Sequence, residues 1–212
     1  MHLPDTVGVF AAAAFLLTPA FAAEPEALRL PAFSATEAMD ASGGYFATSR
    51  IYHAESKFRV EPGPGFVTIY LPALDRVYTV LGTDPLKTAC IFESMDKASM
   101  MHGPIQELSG AMVKRSDAGT EVVDGHPCKV TTMTVIAAEG EVGHARVCEA
   151  QDLDGFPVKV EWRTGRKLTA VYRDVVLAAP DPALFEPPAN CIPIEQAGEV
   201  AEEVRPPEPR NP

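Results

Sequence analysis

Most signatures that would assign a chemistry are missing from these 212 residues. There is no G-x-S-x-G elbow, no H-E-x-x-H pair and no phosphate-cradling glycine loop. No two of the four cysteines, Cys90, Cys128, Cys148 and Cys191, stand at C-x-x-C or zinc-ligand spacing, which excludes the usual dithiol and zinc motifs. No apolar run reaches the ~20 residues that a bilayer-spanning helix needs, so an integral helical membrane protein is not expected. Basic residues are scarce: Lys and Arg number 18 against 29 Asp and Glu, a formal charge of −11. Lacking a basic stripe, the chain has nothing to present to nucleic acid or to an anionic lipid surface, and neither is expected as a partner.

What is present begins with an apolar run over residues 7–17 (VGVFAAAAFLL), followed by Thr18-Pro19-Ala20-Phe21-Ala22. A short apolar core before a small-x-small site is the pattern of a secretory leader, with the cut expected after Ala22. The pattern is incomplete, because the preceding MHLPDT has no Lys or Arg and carries Asp5. The expectation is a signal peptide over residues 1–22 and a periplasmic mature chain of about 190 residues, one domain of ordinary size. In an oxidising compartment four cysteines favour two disulfides, and three connectivities are open. The pairing expected is Cys128–Cys148, linking two strands of one hairpin, with Cys90–Cys191 pinning the C-terminal segment. In the chain-entropy model such loops would contribute roughly 3 and 4–5 kcal/mol.

Along the chain, residues 23–43 form a charged, Pro-bounded lead-in. Within it Ser34-Ala-Thr-Glu37 is a capping-box pattern stopped by Gly43-Gly44, which predicts a short helix over residues 34–41. From Tyr45 onward β-branched and aromatic residues alternate between turn dipeptides. Strands are expected over residues 45–54, 58–61, 65–71, 76–81, 88–92, 120–123, 128–137, 143–150, 157–163 and 167–177. Asp124-Gly125, Asp154-Gly155 and Thr164-Gly165 are the sharpest turn marks. Residues 94–102 (SMDKASMMH) break the β rhythm and predict a helix that ends at Gly103-Pro104, while residues 105–116 read as a strand or as a second short helix. Residues 192–212, rich in Pro and Glu, are expected to be disordered.

Strands joined by short turns imply an antiparallel sheet, since parallel connections need long crossovers. A sheet this long must curl or close. The fold class expected is therefore mainly β: a strongly curved antiparallel half-barrel of about 10–11 strands over residues 44–191, with one or two short helices on its concave face.

The last ordered block, residues 152–191, carries two apolar strands, a Thr-Gly turn and a Pro-rich closing motif. Three segments, K-F-R-V-E at residues 57–61, D-G-F-P-V-K-V-E at 154–161 and P-D-P-A-L-F-E-P-P-A at 180–189, give the chain a resemblance. Over most of residues 45–190 it resembles the outer-membrane lipoprotein carrier (LolA/LolB-like) superfamily, and more closely its domain-of-unknown-function members. The resemblance implies a half-barrel of about eleven strands covered by helices, with an apolar cavity able to hold acyl chains. Its motifs concern the fold, and none is a catalytic signature.

Candidate ligand-binding residues are Met95, Met100, Met101, Trp162, Phe66 and Tyr70. The methionines, with His102 and nearby Met112, admit three readings: an adaptable apolar lid, a Cu(I) site of thioethers and imidazole, or ordinary core packing. Trp162 shares a face with Val158 and Val160, so it is core or cavity lining. Tyr78, Phe92 and Tyr172 are similar candidates. His53, His126 and His144 stand singly, and the approach of His126 to His144 depends on strand register. Asp152, Asp154, Asp181 and Glu186 are better explained by turns than by acid–base chemistry. No catalytic residue and no cofactor is expected. The function expected is an exported, non-catalytic carrier sheltering a lipid or lipoprotein acyl chain. The alternatives are an envelope scaffold with a filled core and a protein partner and, more remotely, a Met/His copper protein.

Overall fold

The computed structural model describes residues 24–41, 45–82, 88–96, 103–137, 140–163 and 167–197. The expected leader, the Met100–His102 part of the predicted helix and most of the expected disordered tail lie outside them. One curved, unclosed sheet of thirteen strands dominates. The first half comprises β2 (Phe33–Ala41), β3 (Tyr45–Ala54), β4 (Lys57–Gly63), β5 (Phe66–Leu71), β6 (Arg76–Leu81) and β7 (Ala89–Glu93). The second comprises β8 (Met112–Val123), β9 (His126–Ala137), β10 (Gly140–Ala150), β11 (Phe156–Trp162) and β12 (Leu168–Val176). Each half is a meander of neighbouring antiparallel strands, and β12 pairs with β2 to join them. Two short strands close the edges: β1 (Glu26–Ala27) lies along β8, and β13 (Ile192–Pro193) runs parallel to β7.

This order places β7 and β8, consecutive in the chain, near opposite edges of the sheet. The segment between them has to cross a face. It does so on the concave side and carries the helix α1 (Pro104–Leu108), whose Ile105 and Leu108 are fully buried against β11 and β12. The N-terminal stretch after β1 crosses the same face towards β2, and it is tied to the first crossing by Leu28 N–H to Ala111 O and Gly110 N–H to Leu28 O, both 2.9 Å.

All ten expected strands are present, and turn chemistry explains their accuracy. Asp124 and Gly125 have φ of 48° and 88°, and Asp154 and Gly155 have 50° and 77°. At Asp124-Gly125 these values make the two-residue hairpin turn between β8 and β9, and at Asp154-Gly155 they end the 3₁₀ turn of Gln151–Leu153 that links β10 to β11.

Two expectations are corrected. Residues 34–41 are not helical: they lie in β2, whose burial alternates strictly from Phe33 to Ala41. The S-A-T-E pattern is local, whereas β2 has a hydrogen-bonded neighbour on each side, β12 and β3, along nearly its whole length. Tertiary pairing overrides the cap signal. Residues 33–41 of the lead-in are consequently part of the sheet. A helix follows Gly103-Pro104, where Pro suits the first helical position and Gly103 serves as N-cap, so residues 105–116 begin as the second short helix that their sequence allowed, while residues 97–102 of the helix expected before it lie outside the described residues. The expected tail is ordered at its start, where Ile192 and Pro193 pair with Ile91 and Phe92.

Both disulfides join the expected partners, Cys90 to Cys191 and Cys128 to Cys148. The main core lies on the concave side and includes Phe33, Ile51, Phe58, Val113, Val147, Val160 and Tyr172. A smaller cluster of Ile69, Leu71 and Phe185 sits on the other face, where the turn at Pro182–Phe185 covers β4 and β5. Asp181 starts that turn by accepting the Ala183 N–H at 2.9 Å, which is the turn role its Pro neighbours suggested. Among the described residues no helix is long and apolar enough to cross a membrane.

Candidate functional site

Because two chain segments cross the concave face without filling it, spaces remain between them and the sheet. One cavity, of about 490 Å³, lies between the Leu28–Leu30 segment, the α1 region and the β4–β5 side of the sheet. Phe58, Tyr70, Leu28, Leu30, Pro72 and Met95 make its lining mainly apolar. A second, of about 540 Å³, lies on the other flank of the same segment. It is more polar, because Arg115, Lys129 and Glu149 reach it. There Arg115 pairs with Glu149, whose second oxygen accepts from Thr131 Oγ1 at 2.7 Å. The apolar cavity is therefore the better candidate for an uncharged chain, since desolvating the charged flank would cost free energy.

Adjoining the first cavity is a smaller compartment of about 150 Å³, whose lining shares Tyr70 and Gln106 with it. Its walls include Phe66, Ser49, Thr68 and Glu37, and Glu37 is only 3% exposed. The carboxyl of Glu37 accepts from Tyr172 Oη at 2.9 Å and lies against the Gly103 backbone, where a Cβ would meet it at 2.6 Å. A side chain at position 103 would have to displace the end of the Glu37 side chain, which glycine avoids. Burial pushes the Glu37 carboxyl above its ordinary range, opposed in part by the Tyr172 hydrogen bond. Burial together with nearby Glu37 pushes the Tyr70 hydroxyl up to about 12.

His53, fully buried, bonds through Nδ1 to the Pro31 carbonyl oxygen at 2.8 Å and so fastens the crossing N-terminal segment to β3. Its Nε2 has no hydrogen-bond partner of normal geometry, although the Glu55 backbone nearby favours the protonated ring. Burial dominates and holds the imidazole below its ordinary value.

These two groups give stability opposite pH slopes. For Glu37 the folded chain keeps its proton to higher pH than the unfolded chain. Its contribution is complete below the unfolded carboxyl value of about 4.3 and is lost as pH rises through the raised folded value. For His53 the contribution is complete above the unfolded value of about 6.5 and is lost as pH falls. Glu37→Gln, which preserves an acceptor for Tyr172 but cannot ionise, should gain stability relative to the native chain as pH rises from about 4 to about 8. Urea midpoints across that range provide the measurement, and parallel profiles would contradict it.

Of the candidate residues, Met95 and Tyr70 meet at the apolar cavity, and Phe66 joins Tyr70 at the inner compartment. Trp162 packs on the core beside Val160, as its alternation implied, but lines neither space. Met100, Met101 and His102 lie outside the described residues. Met112 is 43% exposed on β8 and lines neither space. Tyr78 and Phe92 pack on each other, 5.7 Å between ring centres, and Tyr78 belongs to the outer cluster. His126 and His144 do not meet: the first pairs with Asp152 at 2.9 Å, the second lies opposite Thr134. Among the described residues no three His, Cys, Asp or Glu side chains are placed to hold a metal ion. Sequence reasoning missed Glu37, Gln106 and the Leu28–Leu30 segment. Glu37 had a readable signal, as the single charge at an inward position of F-S-A-T-E-A-M-D-A, once that stretch is read with period two.

No family model and no curated protein matches the chain. Solved structures similar to it include MucB in the Pseudomonas aeruginosa MucA/MucB complex, at 16% identity and TM-score 0.43, covering 76% of this chain and 57% of that one. An uncharacterized conserved protein of Thermus thermophilus is 11% identical with TM-score 0.47, covering 77% and 90%. A LolA superfamily protein of Nitrosomonas europaea is 12% identical with TM-score 0.30, covering 75% and 92%. This chain spans little more than half of the MucB chain.

Proposed function

We propose that the chain is an exported, non-catalytic binding or carrier protein of the periplasm, whose apolar cavity shelters a lipid or an acyl chain. The observation that carries this reading is the open cleft of about 490 Å³ lined by Leu28, Leu30, Phe58, Tyr70 and Met95 between the crossing segments and the sheet. That volume falls within the roughly 300–1,000 Å³ of small-ligand sites. Two disulfides support an oxidising compartment.

The mature chain should bind a fluorescent acyl probe with saturable affinity, and native mass spectrometry should find co-purified lipid. Ser109 is a small, half-buried residue of the lining. Ser109→Trp would fill part of the cavity and should weaken the probe by about tenfold or more, the effect expected of lost apolar contact. A chain that binds no probe, or whose binding ignores Ser109→Trp, overturns the reading. Cross-linking in envelope extracts that recovers one protein and no lipid would favour the scaffold alternative.

A further inference from the structure

The apolar cleft has a charged group at its mouth that the fold leaves unused. Leu28 and Leu30 are half-buried and pack on the core, while Arg29 between them is exposed. Arg29 lines the cleft all the same, so it stands where the cleft meets water. Every other arginine among the described residues has a partner. Arg59, Arg115, Arg146, Arg163 and Arg173 are held by carboxylates. Arg50 bonds to Ser34 beside the Tyr52 ring, and Arg76 lies over Phe92 at 4.1 Å. Among the described residues Arg29 alone has neither a carboxylate nor a ring against it. The other charged side chain of the cleft is Glu55, and Lys57 already pairs with it at 3.3 Å.

We propose that the apolar cleft takes a single-chain amphiphile with an anionic head, its tail against Leu28, Leu30, Phe58 and Met95 and its head at the mouth on the Arg29 guanidinium. This rests on the carrier reading and adds the charge of the head group to it. A charged head does not follow its chain among apolar side chains, because leaving water without a partner is costly. It stays at the mouth, where the two charged groups of the cleft are. A carboxylate there meets a guanidinium with its donors free, in the forked geometry that matches two acceptor oxygens. An ammonium head finds only Glu55 and has to compete with Lys57 for it. A neutral ester head gains least from either group. The formal charge of −11 on the whole chain opposes an anion at long range, but at 0.15 M salt such repulsion is screened over about 8 Å, farther than the contact with Arg29.

The test uses the full mature chain and three probes with the same twelve-carbon tail: laurate, 1-monolaurin and dodecylammonium, each displacing a fluorescent acyl probe at a pH of about 8, where both charged heads are ionised. Laurate is expected to bind roughly two- to fivefold tighter than monolaurin, the size of one solvent-exposed charge pair, and to exceed dodecylammonium by more, since Arg29 repels that head. Arg29→Met, which keeps the apolar stem and removes the cation, should bring the ratio of laurate to monolaurin towards one. Arg29→Glu should place dodecylammonium ahead of laurate. Urea midpoints of both variants should match that of the native chain, and a lowered midpoint would show the arginine serving the fold and count against the inference. Laurate binding no tighter than monolaurin would overturn it, and so would a ratio unmoved by Arg29→Met. Tightest binding of dodecylammonium to the native chain would also overturn it, by giving the head to Glu55. If all three tails displace the probe equally, only the head-group inference falls. If the acyl probe itself does not bind, the carrier reading falls and this inference with it.

Discussion

Cys90→Ala combined with Cys191→Ala should destabilise the chain by about 4–5 kcal/mol, close to the whole stability of a marginal domain. The bond closes a loop with a sequence separation of 101, and loop entropy in the unfolded chain grows with that length. The folded state loses something as well. Cys191 anchors the segment after the Pro182–Phe185 turn, so freeing it loosens Phe185 from Ile69 and Leu71 and releases β13 from β7. The double variant of Cys128 and Cys148 should cost less, about 3 kcal/mol, because its separation is 20 and β9 and β10 already pair along the hairpin. Urea unfolding of both double variants beside the oxidised chain decides the matter: equal costs, or a larger cost for the short loop, would refute this ranking.

Phe156→Ala should cost about 3–5 kcal/mol, the range for truncating a buried aromatic. Phe156 is 1% exposed at the start of β11. Its ring stands edge-on to Phe33 of β2 at 4.8 Å between centres and to Tyr172 of β12 at 6.1 Å. These three strands form the seam between the two meanders, so the lost contacts are the ones that fasten the halves together. The same truncation would loosen Tyr172, whose hydroxyl holds Glu37. Because that hydrogen bond opposes the upward push of burial, the stability lost as Glu37 ionises with rising pH should be larger in this variant than in the native chain. Phe46→Ala provides the contrast: at 69% exposed, it should stay within about 0.5 kcal/mol. If the two phenylalanines prove equivalent in thermal or urea unfolding, the seam does not carry the load assigned to it.

Much of the fold was legible because its signals are local. Asp124-Gly125 and Asp154-Gly155 specify turns whatever surrounds them, and the alternation of Val158, Val160 and Trp162 specifies a face. The misread pieces were those whose conformation is set from a distance. Ser34-Ala-Thr-Glu37 satisfies a helix cap only in the absence of β3 and β12 on either side. Residues 105–116 read equally as a strand or a short helix, and the buried contacts of Ile105 and Leu108 against β11 and β12 select the helix where the segment begins.

The site divides in the same way. Met95, Tyr70 and Phe66 could be named from residue type, since large apolar side chains in a curved sheet face either core or cavity. Gln106 could not, because only the crossing of the concave face brings it to the cavity wall. The sequence by itself determined the strand series, its turns and the hairpin that brings Cys128 to Cys148, all consequences of short-range conformational preference and side-chain periodicity. Only the tertiary structure decided that β7 and β8 lie near opposite edges, that the connecting segment must cross the concave face, and that Glu37 is enclosed beneath it. Those depend on pairings such as that of β12 with β2, between residues far apart in the chain, and no local pattern encodes that choice.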